Sequence, residues 1–309
     1  AQISYNLTNI SITSMHEAFD ETCKVAENRG LRVTGSELVG LIPLKAMTDA
    51  ADFFLRKQNR SLGISEREKI KIVIKSLGLD DLKPFDPDQK IIEYLLEKDQ
   101  PEKLVDLTAS DLTEETASES VAPGGGSISA YVGALGVALG TMVANISAHK
   151  PGWDDRWEEF SDWAEKGQKY KDRLLFLVDE DTRAFNKIIE AFRMPKGSEE
   201  EIRKRKQAVE DATRYATEIP LQVMETALSS MEVMEAMLEK GLQTSLSDAG
   251  VGILCARTAV LGAYFNVKIN AKDLKNRAAA EDLLAKAKRI YDEALVREAE
   301  AIAFIESKM

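Results

Sequence analysis

Histidine, cysteine and proline are scarce in this chain: 309 residues include two, two and eight of them, and aromatic residues make up 6%. With only His16 and His149, neither a histidine-rich zinc site nor a relay of histidine acid–base groups can be built. Cys23 and Cys255 lie far apart in unlike surroundings. That excludes a disulfide framework and a cysteine metal motif, and it fits a reducing, cytoplasmic setting. Positive charge is also short: the net charge is −11, which argues against a nucleic-acid surface. Residues 1–100 carry 14 basic and 16 acidic side chains, so the acidity concentrates in the remainder. No charged-then-apolar start marks a signal peptide. Because Ala1 falls directly inside a strand-like alternation, we expect sequence upstream of it.

The pattern predicts an α+β chain: a partial α/β subdomain over 1–100, then an all-α helical bundle over 101–309. Ile3, Tyr5 and Leu7 alternate with polar residues as a half-buried strand should, and the alternation resumes out of phase at Ile10 and Ile12. Ser14 and Glu17 have capping-box spacing, opening a helix that turns Phe19, Cys23 and Ala26 inward and stops at Gly30. A short strand follows around Leu31–Thr34. Helices are expected over Pro43–Lys57, Ser65–Leu77 and Pro87–Lys98, and DQPEK around residue 100 marks the boundary.

Beyond it only helical periodicity remains, over 108–118, 127–147, 154–192, 199–217, 220–240, 248–265 and 272–307. Long helices with short connections predict a bundle. In VAPGGGS, a proline and Gly124, Gly125 and Gly126 turn the chain and let a ligand approach the backbone. Ser127 would cap the helix behind them. A flexible linker is the plain alternative, and no Gly-Lys-Ser/Thr follows to make a P-loop. The small-residue helix 127–147 is long enough to cross a bilayer. However, it is poor in Leu, Ile and Phe, lacks flanking anchors and reads as the only such stretch, so a core helix is expected. EEEIRKRK at 199–206 offers Glu199–Arg203, Glu200–Lys204 and Glu201–Arg205 pairs, the mark of a solvated face.

Apolar stripes interrupted by a carboxylate are the informative places. Leu174, Leu177/Val178, Asp181, Ala184/Phe185, Ile188 and Phe192 form one stripe, with Asp179 and Glu180 pointing sideways. A carboxylate taken from water must be paired, hydrogen-bonded or protonated. Asp181 is therefore either an acid–base group or a bond to a neighbouring helix end. Asp248 opens an almost wholly apolar helix, where it is either a site residue or a partner of the helix dipole. Asn266 and Asn270 end that helix on one face, as ligand-binding amides or as caps. Glu225, near Pro220, is a weaker candidate. Met224, Met231, Met234 and Met237 read as core filler. From residues alone this is a helical-bundle enzyme acting on a polar organic substrate.

Five motifs resemble a known family. SVAPGGGS at 120–127, VDEDTRAF at 178–185, IPLQVMET at 219–226, LSDAGVG at 246–252 and GAYFNVKIN at 262–270 occur in the order seen in formimidoyltetrahydrofolate cyclodeaminase, over roughly 105–309. SYNLTNISIT at 4–13, GSELVGLIPLKAM at 35–47 and LGLDDLKPFDPDQKIIEYLL at 77–96 resemble the C-terminal half of glutamate formimidoyltransferase, over roughly 1–98. The order of the two matches is that of the bifunctional formimidoyltransferase-cyclodeaminase family. The family's transferase carries its catalytic histidine in an N-terminal subdomain that has no counterpart here, and neither His16 nor His149 takes that role. Lys150 matches a basic position of the family.

The resemblance implies ring closure of 5-formimidoyltetrahydrofolate to 5,10-methenyltetrahydrofolate with loss of ammonia. Asp181 and Asp248 would be the catalytic residues, with Gly124, Gly125, Gly126, Ser127, Glu225, Asn266, Asn270 and Lys150 binding substrate. No metal or redox cofactor is required, and a polyglutamylated tetrahydrofolate enters as substrate. A homo-oligomer, a dimer or a ring of dimers, is implied, with no nucleic-acid or membrane partner. The rivals are a methenyltetrahydrofolate cyclohydrolase on the same bundle and a non-catalytic folate-binding or assembly domain.

Overall fold

The computed structural model describes residues 2–98 and 103–309. The boundary expected at DQPEK falls mostly on 99–102 and lies outside the described residues.

After the short helix α6 (Ala109–Ala117), helix α7 (Gly125–Ala148) takes the inner position because its side chains are small. A Cβ added to Gly136 would lie 2.7 Å from Cys255 Cβ and from the Gly252 carbonyl oxygen, so the two backbones cross at a distance only glycine permits. Helices α8 (Trp157–Arg193), α9 (Glu199–Lys240) and α10 (Leu246–Asp273) surround it, and α11 (Arg277–Glu306) packs on α9 and α10. Both α8 and α10 run antiparallel to α7. Gly126 meets Asp181 and Gly133 meets Leu174 on one side, while Gly125 meets Asn266 and Gly133 meets Ala259 on the other. Met224, Met231 and Met234 are fully buried in the shared core, as the stripe of methionines predicts. Two helices, not one, are long and apolar enough to cross a membrane, Gly125–Ala148 and the stretch Gln243–Asp273. They pack against each other in the core.

The break expected between 217 and 220 is absent, and α9 runs unbroken through Pro220. A proline inside a helix removes the N–H that the carbonyl four residues earlier needs. That carbonyl belongs to Ala216, and the Asn270 amide donates to it at 2.7 Å. A side chain from α10 thus replaces the missing backbone donor. Of the three ion pairs expected at 199–206 only Glu200–Lys204 forms, at 2.7 Å. Glu201 instead completes a capping box with Ser198, and Arg205 donates to the Phe192 carbonyl.

In the first hundred residues the helices follow the capping signals. α1 (Met15–Glu27) opens with both halves of the Ser14/Glu17 box, and Ser65 caps α3 (Glu66–Leu77). α2 (Leu44–Lys57) packs on α3 around Met47, Ala50 and Val73. The expected helix 87–98 is divided into α4 (Pro87–Lys90) and α5 (Ile92–Glu97), because Ile91 is extended and forms a parallel bridge with Ile42. The two strands expected near 2–12 and 31–34 do not form: no strand exists among the described residues, so the α/β reading of this part is corrected to helices with extended segments. An alternating segment becomes a strand only when a neighbour accepts its backbone hydrogen bonds. None does so here, and Ile3, Tyr5, Leu31 and Val39 remain exposed. Residues 61–63 join this part to the bundle. The Leu62 N–H donates to Ser161, and the Gly63 carbonyl accepts from the amides of both Asn145 and Gln168.

Candidate active site

The glycine loop, one half-buried acid and one amide converge at the start of α7. Gly124 is its N-cap residue and provides no side-chain cap, so the first N–H groups of α7 need another acceptor. Asp181, from α8, supplies it. Its Oδ2 accepts from the Ser127 hydroxyl at 3.1 Å, and the Ser127 backbone N–H also favours its ionised form. A Cβ on Gly126 would come within 2.6 Å of the carboxyl carbon, so that glycine makes room for the acid. Ser127 is therefore not the cap that the sequence suggests. It is a fully buried first-turn residue facing a carboxylate from another helix. Burial pushes the Asp181 pKa above the usual aspartate value, and the bonds from Ser127 only partly offset this.

The two neighbours of Asp181 do not point sideways into water. Asp179 is buried and accepts from the Leu104 N–H at 2.6 Å; burial raises its pKa against that bond. Glu180 is buried as well, bonded by the Tyr215 hydroxyl and by Arg183 at 2.9 Å. Burial works to raise its pKa, but the two donors outweigh it and hold the group below the ordinary glutamate value. Tyr215 is pushed up to about 12, by burial first and by Glu180 second. Tyr215 carries no periodic signal that sequence reasoning could use. Phe185 and Phe192, expected in the buried stripe, are exposed at 41% and 55%, because α8 and α9 project beyond the end of α7 there.

Asn266 lies beside Gly125, with its amide nitrogen 3.6 Å from where a Cβ would stand, and it donates to its own helix at Gly262. Gly124 and Gly125 beside it are exposed, so backbone and amide groups meet at an open mouth. The remaining candidates lie elsewhere. Asn270 is committed to the Ala216 carbonyl. Glu225 is exposed on α9. Lys150 follows the far end of α7, about 35 Å from Gly126 at the helical rise, with its ammonium 4.1 Å from the Trp153 ring centre. Asp248 is 18 residues before Asn266 on α10, so about 27 Å of helix separates it from the Asp181 end. One chain does not bring the two aspartates together. No group of three or more His, Cys, Asp or Glu side chains that could hold a metal occurs among the described residues.

A helical bundle packed through glycine and alanine, with an acid docked on the inner helix's start, defines the structural class. Comparison with known proteins makes it specific. The family model described as formiminotransferase-cyclodeaminase matches residues 108–289, and the formiminotransferase domain model matches 1–97. The chain belongs to the formiminotransferase-cyclodeaminase family. It is 36% identical over 309 residues to the formimidoyltransferase-cyclodeaminase of Mus musculus, covering all of this chain and 57% of that protein. It thus spans a little over half the length of that relative. It is also 32% identical over 187 residues to a methenyltetrahydrofolate cyclohydrolase of Methylorubrum extorquens, covering 60% of this chain and 90% of that one. The crystal structure of formiminotetrahydrofolate cyclodeaminase from Thermotoga maritima shares the fold, with TM-score 0.59 and 22% identity over 66% of this chain and 98% of its own.

Proposed function

We propose that residues 101–309 form a cyclodeaminase domain that closes 5-formimidoyltetrahydrofolate to 5,10-methenyltetrahydrofolate and releases ammonia. The observation that supports it best is a carboxyl group of raised pKa, fixed at the mouth of a glycine loop, in a chain of this family. N10 of the folate attacks the amidine carbon, and Asp181 takes the N10 proton. The tetrahedral intermediate then expels its nitrogen as ammonia, and Asp181 returns the proton to the leaving nitrogen. A carboxyl with a raised pKa suits this double duty better than an ordinary surface aspartate. Asn266 and the backbone of Gly124–Gly125 hold the pterin through amide groups. Folate is the substrate, and no further cofactor is invoked.

Residues 1–100 are proposed as the C-terminal part of a formimidoyltransferase domain. The whole is proposed to work in the cytoplasm as a homo-oligomer. Leu135, Met142 and Ile146 on α7 and Val251 and Leu254 on α10 are exposed apolar residues suited to a second copy. A two-fold axis at the level of Leu135, midway along α7 between the levels of Asp181 and Asp248, lays the Asp248 end of one copy beside the Asp181 end of the other, so Asp248 acts across the pair.

Cyclohydrolase activity is the second reading, favoured by the Methylorubrum extorquens relative. Incubating the chain with 5-formimidoyltetrahydrofolate and following methenyl absorbance together with ammonia tests the first reading. Hydrolysis of the methenyl form without any ammonia release from the formimidoyl form would overturn it in favour of the second.

A further inference from the structure

The family resemblance implies a substrate-binding role for Ser127, but its place in the fold gives it another task. It is fully buried and offers no face to a ligand. Its hydroxyl donates to Asp181 Oδ2 at 3.1 Å, and its oxygen lies 3.4 Å from Thr182 Oγ1. Because the Ser127 proton is used on the carboxylate, Thr182 must be the donor of the second bond. The three groups form a chain of one polarity, from Thr182 through Ser127 to Asp181. Gly126 leaves no side chain between α7 and the carboxylate. Asp181 Oδ1, by contrast, receives no side-chain hydrogen bond among the described residues and is the carboxylate oxygen nearest Gly126.

We propose that Ser127 is a positioning residue for Asp181: it fastens Oδ2 to the start of α7 and leaves Oδ1 as the oxygen that exchanges protons with a ligand in the mouth. This rests on the reading of Asp181 as the acid–base group. The Ser127 hydroxyl supports the ionised carboxylate, so its loss lets burial act unopposed on one side. A hydrogen bond to a charged group is worth enough to move a titration by roughly one pH unit.

The test is a ¹³C NMR titration of the Asp181 carboxyl carbon in the full chain, with the pH dependence of turnover measured on the same preparations. Ser127→Ala removes one atom and introduces no clash. Asp181 should then titrate about one pH unit higher, and the low-pH limb of kcat/KM should move up by the same amount. Thr182→Val, which removes only the outer hydroxyl, should move both in the same direction by less. An unchanged Asp181 titration in Ser127→Ala, or in Thr182→Val if the first variant does not fold, would overturn the positioning role. A titration that moves while the activity limb stays put would keep the positioning role and defeat the acid–base reading of Asp181.

Discussion

Two carboxylates occupy helix N-termini at opposite ends of the bundle, and they are held in different ways. Asp248 sits in the first turn of its own helix, α10, partly buried and without a side-chain hydrogen bond among the described residues. That is the common arrangement, in which the helix dipole contributes about 0.3–1 kcal/mol. Asp181 belongs to α8 but docks on the start of α7, where Gly124 provides no cap and Gly126 provides the space. It needs three coincidences of sequence: the register of α8 against α7, a glycine at one position and a serine at the next. The contrast separates an acid that any helix start tolerates from one that the fold must be built around.

The largest expected effect lies at the second kind of acid. Asp181→Asn keeps the shape and removes proton transfer, so kcat should fall by roughly 10²–10⁴. Folate binding should change far less. If Asp181 were only a cap for α7, the variant would lose about 1–3 kcal/mol of stability and keep near-normal turnover in the folded fraction. Thermal melts and steady-state kinetics on one preparation distinguish the outcomes, and a destabilised but active variant would erase the contrast between the two ends.

The second effect concerns how the ends meet. If Asp248 completes the site across a two-fold pair, Asp181→Asn and Asp248→Asn should each inactivate, yet a co-assembled mixture should regain activity. Each mixed pair holds one site with both aspartates and one with neither. Random mixing should therefore restore about a quarter of wild-type turnover, by the symmetry of a two-fold pair. Inactive mixtures whose subunits demonstrably exchange would argue that the aspartates do not share a site across copies.

Much of this arrangement is legible in the sequence, and the failures have physical causes. The capping box at Ser14 marks a helix start because its hydrogen bonds are local, whereas Glu201, expected to pair with Arg205, closes a box with Ser198 instead. The inner position of α7 is legible because small residues permit close backbones. Spacing singles out Asp181 as the core-facing acid, yet it is half-buried while Asp179 and Glu180 are buried, and its partner is not legible at all: a donor from α7 depends on how two helices align. For the same reason Glu180 is misjudged, since its burial is made tolerable by Tyr215, 35 residues away. The strand pattern at 2–12 fails for a different reason. Alternation records a tendency, and the pairing that would realise it must come from elsewhere.

A third, smaller effect should appear at Asn270, which supports the Asp181 end from below without touching it. Removing its amide in Asn270→Ala strands the Ala216 carbonyl beneath Pro220, which should cost about 1–3 kcal/mol in urea unfolding. In a Pro220→Ala background the helix supplies its own N–H, and the same substitution should cost about 1 kcal/mol less. Equal costs in both backgrounds would show that the amide does not stand in for the missing backbone donor.

The smallest effect is expected at Glu225, and it bounds the site from the other direction. It lies inside the IPLQVMET motif, so sequence resemblance alone makes it a candidate. Its side chain, however, is exposed on the outer face of α9. Its level in the bundle follows from its neighbours: Gln222 bonds Arg173, and Glu232 bonds Lys166 and Tyr170. Glu225 therefore stands near residue 170 of α8, about 15 Å along the axis from Asp181 at the helical rise. Glu225→Gln should leave kcat within about twofold, the scatter expected of a residue outside the site, and stability within about 0.5 kcal/mol. Because the same kinetic assay reports on Asp181→Asn, the two variants calibrate each other. A tenfold loss at Glu225 would move the reacting atoms to the middle of the bundle, and the docked acid at the start of α7 would then be a structural device.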